Sequence, residues 1–167
     1  MVLIKARFKI NIKKEEKANV SGKDDHSAVL LNVVVTNPGV CNKSLGDVCS
    51  IVDKPFVVSR IRRAEGGEII SANDNPMIYK GDILRIVVEQ DIRSFMVTFF
   101  GEEAQALQNL WETAVSNLVS KRILVSKPEL NGAKLQSLNL RSLYNVNVTR
   151  LTRLGLDLVA RGDLRLQ

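Results

Sequence analysis

Aromatic residues make up only 5% of this 167-residue chain, it has two cysteines and one histidine, and no apolar run is long enough to cross a bilayer. Scarce aromatics argue against a single-stranded nucleic-acid binder, which stacks bases on rings set among basic residues, even though the net charge is +6 and the pI about 9.5. Nucleic acid is therefore not an expected partner. Cys41 and Cys49 are too few to make a disulfide framework and read as free thiols of a reducing compartment. His26 has Asp24 and Asp25 beside it but no further ligand within metal-binding spacing, so it reads as a solvated loop residue and no metal site is expected. No activated-serine motif occurs and neither cysteine has a local base, so the chain is not expected to be an enzyme and no catalytic residue is assigned. A G-x-G-x-x-G turn after a strand is also missing, which removes dinucleotide binding and leaves no cofactor to expect. Without a spanning run or the three regions of a signal peptide, the chain itself is expected to be soluble.

The charge that is present is concentrated at the start. Lys5, Arg7, Lys9, Lys13 and Lys14 all precede the first acid, Glu15, and the rest of the chain is close to balanced. Ile4, Ala6, Phe8, Ile10 and Ile12 alternate with these basic residues, the period of a half-buried strand. The turn-rich stretch from Glu15 to Asp25 reads as a linker, so residues 1–25 form a basic arm and linker. A hydrophobic content of 45% is enough for one sizeable core or two small ones.

An internal repeat decides for two. Setting Pro128 on Pro38 fixes an offset of 90 residues, which without a gap also places Val125 on Val35, Leu135 on Leu45, Val148 on Val58, Arg150 on Arg60 and Arg153 on Arg63. Apolar positions correspond more than polar ones do: Ile123 falls on Val33, Leu124 on Val34, Leu138 on Val48 and Leu151 on Ile61. Each copy reads as strand, short loop, helix, strand. Leu30 to Val35 is a β-branched run stopped by Asn37-Pro38-Gly39. Asn42 or Ser44 caps a short helix bearing Leu45 and Val48. Phe56 to Ile61 is a second strand, Glu65-Gly66-Gly67-Glu68 a turn, and Glu68 to Ser71 a third strand. Met77 to Val88 reads as a closing hairpin turning at Lys80-Gly81-Asp82. Asp91 to Phe100 and Glu102 to Ala114 read as helical, the latter with acids in its first turn and Leu107, Leu110, Trp111 and Ala114 on one stripe that makes Trp111 a packing residue. The fold class is thus α/β (α+β): a first unit over residues 26–101, a linker helix over 102–117, and a second unit over 118–167.

The ordered set of Pro-containing loop, Leu-bearing short helix, Val-rich strand ending in Arg-x-x-Arg, Gly turn and Lys-Gly-Asp-Ile-Leu strand resembles the TrkA-C domain, the C-terminal subdomain of proteins that regulate potassium conductance. The second copy, with Ser126-Lys127-Pro128-Glu129-Leu130-Asn131-Gly132, Tyr144-Asn145-Val146 and Gly155-Leu156-Asp157-Leu158-Val159-Ala160, is similar to the tandem pair inside bacterial transporters of the aspartate–alanine exchanger type. The resemblance covers roughly residues 28–167. It implies a cytoplasmic regulatory pair, sensing a ligand or gating, at the inner membrane. The transmembrane halves of a cation or amino-acid/dicarboxylate exchanger would be its partners, with dimerisation, and the basic arm would lie near the membrane surface. A free-standing homodimeric module for a small anion or nucleotide is the alternative reading. The second copy reaches Gln167 before its counterpart of the Lys-Gly-Asp turn and last strand, so the chain is expected to be a fragment, with the open sheet edge covered by the basic arm or by another chain.

Candidate ligand-binding residues follow from what the duplication retained. Arg60 and Arg150 share one position and Arg63 and Arg153 another, while Arg62 lies on the face of Arg60. Strand-end arginines commonly brace a fold by pairing with acids such as Glu65, Glu68 or Asp157. The other reading is a basic groove where the units meet, lined by Arg60, Arg62, Arg63, Arg150 and Arg153 with the loops of Asn37 and Lys127, that would hold a phosphate or carboxylate through forked hydrogen bonds.

Overall fold

A computed structural model describes residues 27–65, 67–104, 111 and 118–167. The basic arm, His26 and most of the expected linker helix lie outside those residues. Strand β1 (Ala28–Val35), β3 (Phe56–Arg62), β4 (Ile69–Ser71), β6 (Ile83–Glu89) and β7 (Gly101–Glu103) make one antiparallel sheet in the order β4-β3-β6-β1-β7. The two central strands carry nearly unbroken apolar sequence because both faces of the sheet are covered. On one face Leu31, Val33 and Val35 of β1, Leu84, Ile86 and Val88 of β6, and Val58 and Ile61 of β3 pack under helix α1 (Leu45–Ile51) and helix α2 (Arg93–Phe100). Val58 and Ile61 can share that face because a bulge shifts the register between Val58 and Arg60. On the other face Val34, Ile69 and Ile83 pack with Ala104 and the buried Trp111, so the sequence assignment of Trp111 to packing holds.

Ser44 caps α1, its Oγ accepting from the Asp47 N–H at 3.2 Å. Short strands β2 (Lys43–Ser44) and β5 (Met77–Ile78) pair beside it. This corrects the expected closing hairpin: β5 pairs with β2 and β6 pairs with β1 and β3, because Ile78 is drawn fully into the core while the turn at Gly81, φ +84°, sends β6 back across the sheet. The expected helix start at Glu102 is likewise replaced. Glu102 and Glu103 belong to β7, since the chain leaving α2 turns at Gly101 onto the free edge of β1.

One buried carboxylate fastens the end of the sheet where β1 and β3 finish. Asp82 is 1% exposed and accepts from Arg63 Nη1 at 2.6 Å, the Tyr79 N–H at 3.0 Å and the Ala64 N–H at 3.3 Å, while its backbone carbonyl accepts from the Val35 N–H at 2.8 Å. A buried charge held by three donors in this way is satisfied rather than stranded.

The second unit repeats the first at the level of backbone bonds. It contains 3₁₀ turns at Pro128–Leu130 and Leu135–Leu138, helix α3 (Leu140–Tyr144), and strands β8 (Arg150–Arg153) and β9 (Leu156–Val159). The Asn42 N–H bonds the Ile78 carbonyl at 2.7 Å, and the Gly132 N–H bonds that of Leu166 at 2.7 Å; Leu45 to Pro76 at 2.9 Å is matched by Leu135 to Leu164 at 2.8 Å. These pairs show an offset of 90 before the hairpin and 88 after it. The hairpin is two residues shorter: four residues separate Thr152 from its partner Asp157, with Leu154 and Gly155 at φ of +50° and +83°, where six separate their counterparts Arg62 and Ile69. The strand expected at 122–125 departs from the repeat: it is chain outside any helix or sheet, with Ile123 76% and Leu124 88% exposed. β1 is held by β6 and β7, and the described residues of the second unit contain no counterpart of either.

Gly101 has φ +149°, and a Cβ there would lie 2.5 Å from the Val34 carbonyl oxygen and 2.6 Å from the Thr36 nitrogen, both backbone atoms. Gly101→Ala is therefore expected to destabilise the chain by roughly 2–4 kcal/mol in denaturant unfolding, from backbone strain plus overpacking at the β1–β7 edge.

Candidate ligand-binding surface between two repeats

The seven residues singled out in the sequence separate into occupied and free groups. Arg63 is committed to the fold: besides Asp82, it donates to the Met77 carbonyl at 2.8 Å, and its guanidinium lies 5.1 Å from the centre of the Tyr79 ring. Its acid is thus Asp82 rather than Glu65 or Glu68. Asn37 is committed too, donating to the Phe99 carbonyl at 2.7 Å and accepting from the Gly39 N–H at 2.8 Å, which closes its own loop. Arg150 pairs with Asp157 at 3.3 Å, and Arg153 donates to the Arg165 carbonyl. Lys127 is exposed at the start of a 3₁₀ turn.

Arg60 and Arg62 are different. Both are half-buried on β3, and neither has an ion-pair partner among the described residues. Arg60 stands opposite Ser71 on β4 and Arg85 on β6, which sets two arginines side by side on β3 and β6, and Arg85 also lies 5.6 Å from the Trp111 ring centre. The Arg62 guanidinium lies against Gly67, where a Cβ would come within 2.8 Å of its Nη2.

Arg62 and Arg150 stand apart in this chain. Arg62 pairs with Ile83 at one end of β6, but Arg150 pairs with Val159, which packs with Ala28, Val57 and Val87 at the other end. Four residues of strand, about 13 Å, separate Ile83 from Val87. What does join the units is a polar clamp and a small apolar contact. Arg141 of α3 donates to the Ala72 and Asn73 carbonyls, Asn73 Nδ2 donates to Asn145, and Asn147 Nδ2 donates to the Val58 carbonyl at 2.9 Å. Beside them a cleft of about 430 Å³ opens between the units, lined by residues 52–56 and 160–162, with Lys54 and Arg161 as its cations and Asp53 as its acid. The sequence reading missed this cleft, because neither Lys54 nor Arg161 has a basic counterpart in the other copy.

Comparison with other proteins adds the context. An uncharacterized transporter of Bacteroides thetaiotaomicron is 36% identical over 169 residues, which takes in 100% of this chain and 30% of that protein. The chain is similar to a segment of bacterial transporters. An uncharacterized transporter of Bacteroides fragilis is 37% identical over 169 residues, covering 98% of the chain and 29% of itself, and one of Porphyromonas gingivalis is 29% identical over 171 residues, covering 100% and 30%. The chain thus spans under a third of the length of these relatives, as a piece of a larger transporter would. No family model matches. S. agalactiae BusR in complex with its busAB-promotor DNA aligns over 60% of this chain and 56% of that chain at 20% identity, with a TM-score of 0.36 that carries no argument. Among the described residues no helix is long and apolar enough to cross a membrane.

The β8–β9 hairpin has one titrating clasp. The Thr152 hydroxyl, donating at 2.6 Å, holds the Asp157 carboxyl below its ordinary value, and Arg150 adds to the effect. A carboxyl depressed in the folded state stabilises above its unfolded pKa, and that stability is lost as pH falls through the folded value. Thr152→Ala is expected to raise the Asp157 titration midpoint followed by carboxyl-carbon NMR, and an unmoved midpoint would show the hydroxyl to be irrelevant.

Proposed function

We propose that the chain is a cytoplasmic regulatory domain pair of a bacterial membrane transporter, binding a small anion or answering to a neighbouring subunit rather than catalysing a reaction. The observation that carries this reading is the match of the whole chain to about 30% of proteins named transporters, with no membrane-crossing helix among the described residues. The transported solute, a cation or an amino acid or dicarboxylate by the TrkA-C resemblance, is set by the rest of the protein. Regulation needs a ligand that binds two arrangements unequally. The guanidiniums of Arg60 and Arg62, without an ion-pair partner among the described residues and on a sheet whose far end carries the second unit, are the groups we assign to an anionic ligand, with a phosphate or carboxylate accepting their forked hydrogen bonds.

Two substitutions separate this assignment from a fold role. Arg60→Ala is expected to weaken binding of inorganic phosphate or a nucleotide, measured by calorimetry on the full chain, by roughly 1.5–3 kcal/mol with the melting temperature nearly unchanged. Arg63→Ala is expected to lower the melting temperature, since it leaves Asp82 buried without its cation. A fall in melting temperature for Arg60→Ala with unaltered binding would assign Arg60 to the fold and overturn the proposal.

A further inference from the structure

The second unit has an unroofed core, and the first unit shows what would roof it. Leu45, Val48, Val58 and Ile61 are each buried in the first unit, at 5%, 0%, 4% and 0% exposure. Their counterparts Leu135, Leu138, Val148 and Leu151 are all only half-buried. In the second unit only Val159 and Leu166 are buried. The same unit leaves Val119, Ile123 and Leu124 at 76%, 76% and 88% exposure in chain that belongs to no helix or strand. Exposed apolar chain with free backbone donors and acceptors is a template for a strand.

In the first unit, the counterpart of that chain is the end of β1, a strand paired on both edges, by β6 and β7. Val33, Val34 and Val35 correspond to Ile123, Leu124 and Val125, and β6 holds them with Val33 opposite Leu84 and Val34 opposite Ile83. Val33 and Leu84 then close over Leu45, Val48 and Ile61. A strand paired to 122–125 in this register would set Ile123 and Val125 over Leu135, Leu138 and Leu151, the residues now half covered. At the offset of 88 that governs the second unit after its hairpin, the counterpart of β6 falls a few residues beyond Gln167.

We infer that residues 119–125 are a strand position filled by a β6-like strand from the same polypeptide beyond residue 167, continuous apolar on both faces after a Gly-Asp type turn. This rests on the reading that the chain is a segment of a larger transporter, whose relatives are more than three times as long as the matched stretch. A second copy would have to offer its own β6, which is already paired on both edges by β1 and β3.

Hydrogen exchange read by mass spectrometry, on the 167-residue chain and on the parent protein in detergent, tests this. Amides of 122–125 are expected to exchange like open chain in the former and roughly 100-fold or more slowly in the latter, as in a ladder that opens only with the sheet. Leu124→Asp in the parent should abolish that protection while leaving exchange in β1 unchanged. Fast exchange in both proteins overturns the inference. Protection already present in the 167-residue chain and rising with concentration assigns the position to a second copy and overturns it equally. Phosphate binding at Arg60 is a separate readout, so a failed regulatory reading and a failed strand position remain distinguishable.

Discussion

The antiparallel ladder between β1 and β6 is the constraint on which the rest depends. It pairs residues from Ala28–Glu89 through Val34–Ile83, and its side chains supply both cores of the first unit. Leu31, Val33, Leu84 and Ile86 are each at most 1% exposed, and burying each such side chain is worth about 1.5–3 kcal/mol. α1, α2 and β7 all close on this pair. Asp82 fixes its end by tying Arg63, Tyr79 and Val35 to one turn.

The second unit shows what the same sequence pattern does without that ladder. Its Pro-containing loop and the bonds that close it reproduce those of the first copy, although the helix of the first is here split at Asn139 and the hairpin is shorter, so this local structure does not require the full sheet. Its core does. With two buried residues, it leans on the first unit through Val159 and on the Arg141–Asn73–Asn145 clamp. The division also sorts the arginines by physical role: Arg63 neutralises a buried carboxylate, Arg150 and Arg153 hold an exposed hairpin, and Arg60 and Arg62, half-buried on β3, have no ion-pair partner among the described residues.

Much of this was legible in the sequence, because the offset of 90 carries the apolar positions with it. The strands at 30–35 and 56–61, the Ser44 cap, the stripe of Leu45 and Val48 and the packing role of Trp111 all follow from period and turn chemistry. What was not legible depended on partners distant in the chain. Glu102 and Glu103 looked like the acidic first turn of a helix, yet the free edge of β1 claims them, an instance of tertiary pairing overriding local preference. Arg63 has Glu65 and Glu68 close in sequence, but its carboxylate is 19 residues away at a turn that only the sheet brings near. Asn37 resembled a ligand donor and instead closes its own loop. Residues 122–125 have every local feature of a strand and lack only the neighbour that makes one.

The central claim is that the second unit draws its stability from the first. The direct measurement is a urea series on the 167-residue chain followed by amide NMR cross-peaks, comparing Val159 and Leu166 with Leu84 and Ile86. The account requires the native peaks of Val159 and Leu166 to vanish at or below the urea concentration at which those of Leu84 and Ile86 vanish. Native Val159 and Leu166 peaks persisting after β6 has unfolded would contradict it.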